Sequence, residues 1–348
     1  MVNENVSFFS ALKEKVDYYF LENRLSQTGE RRLYLKSAFQ ISTALSTYIA
    51  LVFLSPPWWV SIFLCLLLGI NLAVLGFNVM HEGGHQSFSK YQWLNSLAGY
   101  SLNALGGNIY FWKVKHNINH HTFTNIAGID SDIDVQPFMR LHPNQPLTGI
   151  HRYQHIYGGL LYGISYLAWV FYEDFVKYFR NRIALHMKPM SMSLKEHFVF
   201  WLTKIVYVTV FLVIPVIFTG WLNTMIGFFM ITFVTGLFIS IVFQLAHVVE
   251  VTEFPSEKKI VKDWAVHQVS TTSNFATTNK VICWLLGGLN FQIEHHLFPK
   301  ISHIHYPQIS KLVKETCKEF NVTYNEYASM FDAIISHISY LRKMGTTL

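Results

Sequence analysis

The sequence predicts an all-α integral membrane protein, with four transmembrane helices in two hairpins and a helical cap on the cytoplasmic side. Three observations predict it. The composition is 51% hydrophobic and 16% aromatic but only 14% charged, where soluble chains carry about 25% charged residues. Four stretches are apolar over roughly the 20 residues that a helix needs to cross a bilayer. Lysine and arginine avoid both hairpin tips.

The four stretches are 37–54, 58–80, 199–219 and 222–246. Ser55-Pro56-Pro57 joins the first pair and Gly220-Trp221 the second, and linkers this short read as turns. No Lys or Arg occurs between Ser37 and Ser89, or between Ile205 and Glu257. Arg24, Arg31, Arg32 and Lys36 precede the first span, and Arg180, Arg182 and Lys188 lie between the hairpins. Positive charge stays inside, so both termini and the central region are expected to be cytoplasmic. The net charge of +6 suits faces near anionic lipid. No nucleic-acid partner is expected.

Two further apolar stretches are of a different kind. Residues 93–112 contain Gly, Asn and Ser, which suits a re-entrant or interfacial segment buried in protein. Residues 157–179 carry Glu173, Asp174 and Lys177, which predicts a surface-lying or partly embedded helix. Over 6–20, Val6, Phe9, Leu12, Val16 and Tyr19 recur at helical spacing, predicting an interfacial helix. The expected organisation is a cytoplasmic N-terminal segment 1–36, a membrane domain 37–310 and a cytoplasmic helical tail 311–348. Residues 1–36 lack the pattern of a cleavable signal, which suits a bacterial inner membrane or an endoplasmic reticulum. Three cysteines suggest neither a disulfide framework nor a thiolate metal site.

Histidine is abundant, with 17 in the chain. HEGGH at 81–85 reads literally as the H-E-x-x-H of zinc proteases, with Glu82 as base. Two more clusters argue for something larger. HNINHH supplies His116, His120 and His121, and QIEHH supplies Gln292, His295 and His296. The expected topology brings all three clusters to one cytoplasmic layer. One zinc ion needs three or four protein ligands, whereas seven histidines and a glutamine are present here. A site of that size suits two transition metals. Imidazole alone does not choose among Fe, Zn, Cu and Ni.

The ordered trio HEGGH, HNINHH and QIEHH resembles the three histidine boxes of the membrane-bound fatty acid desaturase family, over roughly residues 35–310. The resemblance implies a di-iron centre that uses O2 and two electrons to make a double bond in an acyl chain. It implies His81, His85, His116, His120, His121, His295 and His296 as ligands. The family also uses a histidine near the end of its last span, which implies His247. Gln292 replaces the first histidine of the third box, as in the front-end branch, and is implied as a ligand, directly or through water. Eukaryotic members of that branch often carry a cytochrome b5 domain with an H-P-G-G motif. His142-Pro143-Asn144 is not that motif, so a separate electron donor of ferredoxin or cytochrome b5 type is implied. The substrate would be an acyl-lipid, an acyl-CoA or an acyl carrier, in contact with the lipid bilayer. Glu82 is then not a protease base.

Other readings remain open at this level. A hydroxylase or ketolase would use the same ligands. A non-enzymatic metal-binding or transport protein would instead need polar groups along its spans, where the second holds only Asn71 and Asn78 as clear ones. Asp130, Asp132 and Asp134 read as a solvated loop or as anchors for ligand histidines. Trp112, Lys113 and Lys115 read as interface anchors or as contacts to an acyl headgroup. His303 and His305 read as structural or interfacial, or as groups that back the ligand residues. The aromatic residues of the first two spans read as lipid contacts or as the lining of an acyl tunnel.

Overall fold

Helix α1 (Phe8–Glu22) is followed by α2 (Glu30–Phe53) and the long α3 (Trp58–His85). The computed structural model describes residues 6–184, 186–255 and 263–347, so the expected N-terminal segment begins outside the described residues. After α3 come α4 (Gln92–Ala104) and α5 (Ile109–Trp112), which runs straight into a π-helical stretch, Lys113–His120. Helix α6 (Gln154–Ala168) continues through a π-helical turn, Trp169–Glu173, into α7 (Asp174–Arg180). The second hairpin is α8 (Leu194–Thr219) and α9 (Trp221–His247). The remaining helices are α10 (Trp264–Thr271), α11 (Lys280–Leu285), α12 (Gln292–Leu297), α13 (Tyr306–Glu319) and α14 (Met330–Thr346). Among the described residues the only sheet is a two-residue parallel pair, with Asn274 opposite Glu326 and Phe275 opposite Tyr327.

Among the described residues three helices, α3, α8 and α9, are long and apolar enough to cross a membrane. Helix α2 has the length, with 24 residues. Its apolar character is diluted by Ser37, Gln40, Ser42, Thr43, Ser46 and Thr47. It still packs along α3, the arrangement expected of a hairpin. The hairpins meet where α3 crosses α9. There a Cβ on Gly69 would strike the Ile231 carbonyl and Val234, and Thr235 donates to the Gly69 carbonyl at 2.9 Å.

Segment 154–180 lies across the second hairpin. Its crossing with α9 depends on Gly163 and Gly236, because a Cβ on Gly236 would meet the backbone of residues 162–166. Asp174 and Lys177 are buried, so this helix carries charge inward as well as outward. Lys204 of α8 bonds Asp174 at 2.8 Å and the carbonyls of Gly106 and Val170 at 2.7 and 2.8 Å. A charge that would be costly in an apolar span is thereby fully engaged.

The N-terminal helix buries Leu12 and Val16 of its predicted apolar face, with Phe8 and Phe20 in place of Phe9 and Tyr19. Its buried face is Phe8, Leu12, Val16 and Phe20, and it packs on Tyr306, Ile309 and Val313 of α13. Val6 is exposed instead. A second amphipathic helix covers this face, while Tyr18 and Leu21 on the other side stay exposed. Residues 93–112 form α4 and α5, buried on one side at Asn95, Ala98, Gly99 and Leu102.

Candidate metal centre

The first box ends α3. A π-helical turn at Gly76–Met80 precedes it, a local feature frequent at functional sites. His81 and His85 sit one turn apart with ring centroids 4.6 Å apart. The glycines between them serve the opposite side. A Cβ on Gly83 would strike the backbone of Gly99 and the side chain of Ala98 in α4, and one on Gly84 would enter the Trp112 ring. Glu82 also turns elsewhere. Its Oε1 accepts from the backbone N–H and Nδ1–H of His303 at 2.9 and 2.7 Å, and its Oε2 accepts from Ser87 Oγ at 2.8 Å.

The second box lies in and just after Lys113–His120. Its i→i+5 bonding widens the turn, so residues four and five apart can share a face. His116 stacks on His120 with centroids 5.3 Å apart, and the Nε2 atoms of His116 and His121 are 3.3 Å apart. Nε2 of His81 is also 3.3 Å from that of His116. The third box, α12, brings His295 and His296 against both other boxes, and His247 arrives at the end of α9.

The donor atoms form two adjoining pockets. His81, His85, His116 and His295 make one, and His120, His247 and His296 make the other, with His121 beside His295 and His296. Within each group all donor atoms lie within 4.8 Å of one another. Buried nitrogens without partners face this region: Nε2 of His85, His120, His295 and His296, Nδ1 of His121, and both nitrogens of His247. Gln292 is buried with an unpartnered Oε1. Each such orphan costs about 1–3 kcal/mol unless something binds it. Burial, with the neighbouring imidazoles, holds His121, His295 and His296 well below the ordinary histidine range. Neutral imidazole is the ligating form. The residues therefore fit two metal ions.

Behind the pockets, other side chains hold the rings. His120 Nδ1 donates to Asp130 at 2.9 Å, His296 Nδ1 to Gln268 Oε1 at 2.8 Å, and His295 Nδ1 lies 3.3 Å from the Tyr306 hydroxyl. Asp132 lies 3.7 Å from His120 and 3.9 Å from His116 while pairing with Lys115 at 2.6 Å. Burial alone would raise the Asp132 carboxyl, but Lys115, His116 and His120 together outweigh it and hold it well below the usual carboxylate range. Asp134 turns away from the ligand histidines, bonding Gln136 N and Gln145.

A family model described as fatty acid desaturase matches residues 57–328. The chain belongs to the fatty acid desaturase family. It is 36% identical over 346 residues to an sn-1 linoleoyl-lipid 6-desaturase of Arthrospira platensis, covering 98% of this chain and 94% of that one. A protein of the same name from Synechocystis is 34% identical, covering 97% and 95%. An acyl-lipid (8-3)-desaturase of Physcomitrium patens is 34% identical over 99% of this chain and 73% of its own. The desaturase is thus an oxidoreductase acting on fatty acyl chains, and its apolar helices fit a membrane protein.

Several residues of this desaturase escape sequence reasoning. Gln268 and Tyr306 carry no motif. His303, read as structural, interfacial or a backing group, holds Glu82. Trp112 stacks on His116 with centroids 4.6 Å apart, while Lys113 is half-buried. A cavity of about 580 Å³ opens between the hairpins, lined by Tyr48, Cys65, Leu68, Phe211, Phe228 and Ile231. Leu68 lies about 20 Å along α3 from His81, at 1.5 Å per helical residue.

Proposed function

We propose that the protein is a di-iron desaturase of acyl-lipids that uses O2, with His81, His85, His116 and His295 holding one iron and His120, His247 and His296 the other. His121 lies between the two, and Gln292 completes the third box. The observation that carries the reading is the set of buried, unpartnered imidazole nitrogens facing two adjoining pockets. Two irons bound there would supply the oxidation by O2 and two electrons that takes one hydrogen from each of two neighbouring carbons, leaving an alkene and, with two protons, two waters. An aliphatic C–H bond is not acidic, so such a step belongs to the metal.

The chain's own residues bind and orient. Asp130 fixes the His120 ring, Asp132 with Lys115 backs His116, and burial of His120, His247, His295 and His296 keeps bulk water away. The names of the relatives support an acyl-lipid substrate and a double bond on the carboxyl side of the chain, as in the front-end branch. We take α2 as the fourth span, 37–310 as the membrane domain, and the remaining helices as a cytoplasmic cap. Both termini then lie in the cytoplasm of a bacterial inner membrane or at the face of an endoplasmic reticulum. Electrons come from a separate ferredoxin or cytochrome b5.

The test is the fatty-acid profile of a host expressing the wild type or His120→Ala, with double bonds located by mass spectrometry. A new alkene that is absent with the variant is expected. A hydroxylated product would replace desaturation by hydroxylation.

A further inference from the structure

Helix α10 runs along the second box. Trp264 Nε1 donates to the His121 carbonyl at 3.3 Å, and His267 Nε2 to the Thr124 carbonyl at 2.9 Å. Asn125 Nδ2 donates to the Thr271 carbonyl at 3.1 Å. Between these contacts sits Gln268, fully buried. Its Oε1 is 2.8 Å from His296 Nδ1 and 2.8 Å from Thr124 Oγ1.

An amide oxygen only accepts. The Thr124 hydroxyl, 3.2 Å from His296 Nδ1, has better acceptors for its proton in the His120 carbonyl and Gln268 Oε1, both at 2.8 Å. His296 therefore carries its proton on Nδ1, which leaves Nε2 bare toward His120 and His247. A donor in the same place would move the proton to Nε2 and block ligation there. We propose that Gln268 is a positioning residue that holds His296 in its ligating tautomer and so sets the metal affinity of the trio His120, His247 and His296. This rests on the dimetal reading above.

The effect is confined to one of the two pockets. Gln268 touches His296, and Asp130 touches His120, so two rings of the trio are fixed from behind. In the four-histidine pocket, His295 has the Tyr306 hydroxyl at 3.3 Å and His116 has Asp132 at 3.9 Å. Gln268 reaches none of those four. Removing it weakens one ion and spares the other.

The experiment strips the purified full chain of metal and titrates it anaerobically with Fe(II) against a chelating dye. The wild type is expected to take up two ions. Gln268→Leu keeps one at wild-type affinity and binds the other about 10–100-fold more weakly, the usual cost of losing such a partner. Gln268→Glu keeps the acceptor and restores the second ion. Equal melting temperatures of the metal-free proteins show that the fold is unchanged, and Gln268→Met repeats the test where the Leu variant does not fold. Two ions at wild-type affinity in Gln268→Leu, equal weakening of both, or no rescue by Glu would overturn the proposal. A wild type that binds no iron would overturn the dimetal reading itself.

Discussion

His120 Nδ1 lies 2.9 Å from Asp130 Oδ2, with both side chains shut off from solvent. The same carboxylate accepts from the backbone N–H groups of Asn125 and Asp132, each at 2.9 Å. One side chain thus aims an imidazole and closes the loop that follows it. Asp130→Asn is expected to weaken iron at the trio about 10–100-fold. Asp130→Ala should also lower stability by about 1–3 kcal/mol, because buried N–H groups lose their acceptor. Iron stoichiometry and thermal melting separate the two effects.

Gly84 faces Trp112, and a methyl group there has nowhere to go but the indole ring. Gly84→Ala should destabilise by about 1–3 kcal/mol through overpacking. Adding Trp112→Leu to the same chain should recover part of that loss, which thermal melting of the single and double variants measures.

Lys204 and Asp174 form a buried pair. Lys204→Met leaves the carboxylate buried without its countercharge, and a loss of about 3–5 kcal/mol is expected. Replacing both, as Lys204→Met with Asp174→Leu, should cost much less. A double variant as unstable as the single one would contradict this account.

His337 on α14 is buried, bonded at Nε2 to the Tyr162 hydroxyl (2.9 Å) and at Nδ1 to the Val248 carbonyl (2.6 Å). Burial pulls its pKa down from the ordinary histidine value of 6.5 to about 4. Its folded-state value is thus depressed, so the unfolded chain binds the extra proton between the two. The contribution is complete above pH about 6.5 and fades as pH falls toward 4. At pH 5 the wild type should have lost about 2 kcal/mol from this residue. His337→Gln should lack that part of the acid sensitivity in melting curves at pH 7 and pH 5.

Much of the centre is legible in the chain because its ligands come as close pairs on helices. HEGGH needs only local helical spacing to present its rings together, whereas the adjacent His295 and His296 of QIEHH turn to different pockets. HNINHH needed more: i,i+4 spacing unites His116 and His120, but His121 joins them through a π-helical turn that no residue pattern announces. Asp130 and Asp132 lie close enough to the second box to be suspected, and Asp134 shows the limit of proximity as a guide. Gln268 and Tyr306 were invisible, since their contacts depend on how α10 and α13 dock. The N-terminal helix shows the same limit: its apolar face is plain in the chain, but its packing partner is a helix some 300 residues later.

The ligands of the two pockets run from residue 81 to residue 296, with the second hairpin between the second and third boxes. Neither pocket is complete without α12, which lies beyond that hairpin in the chain. During synthesis, then, every partial chain that stops before α12 exposes imidazoles but owns no finished pocket. Metal capture would then be the closing act of assembly, and a bound ion would certify that both hairpins and the third box have already found their places.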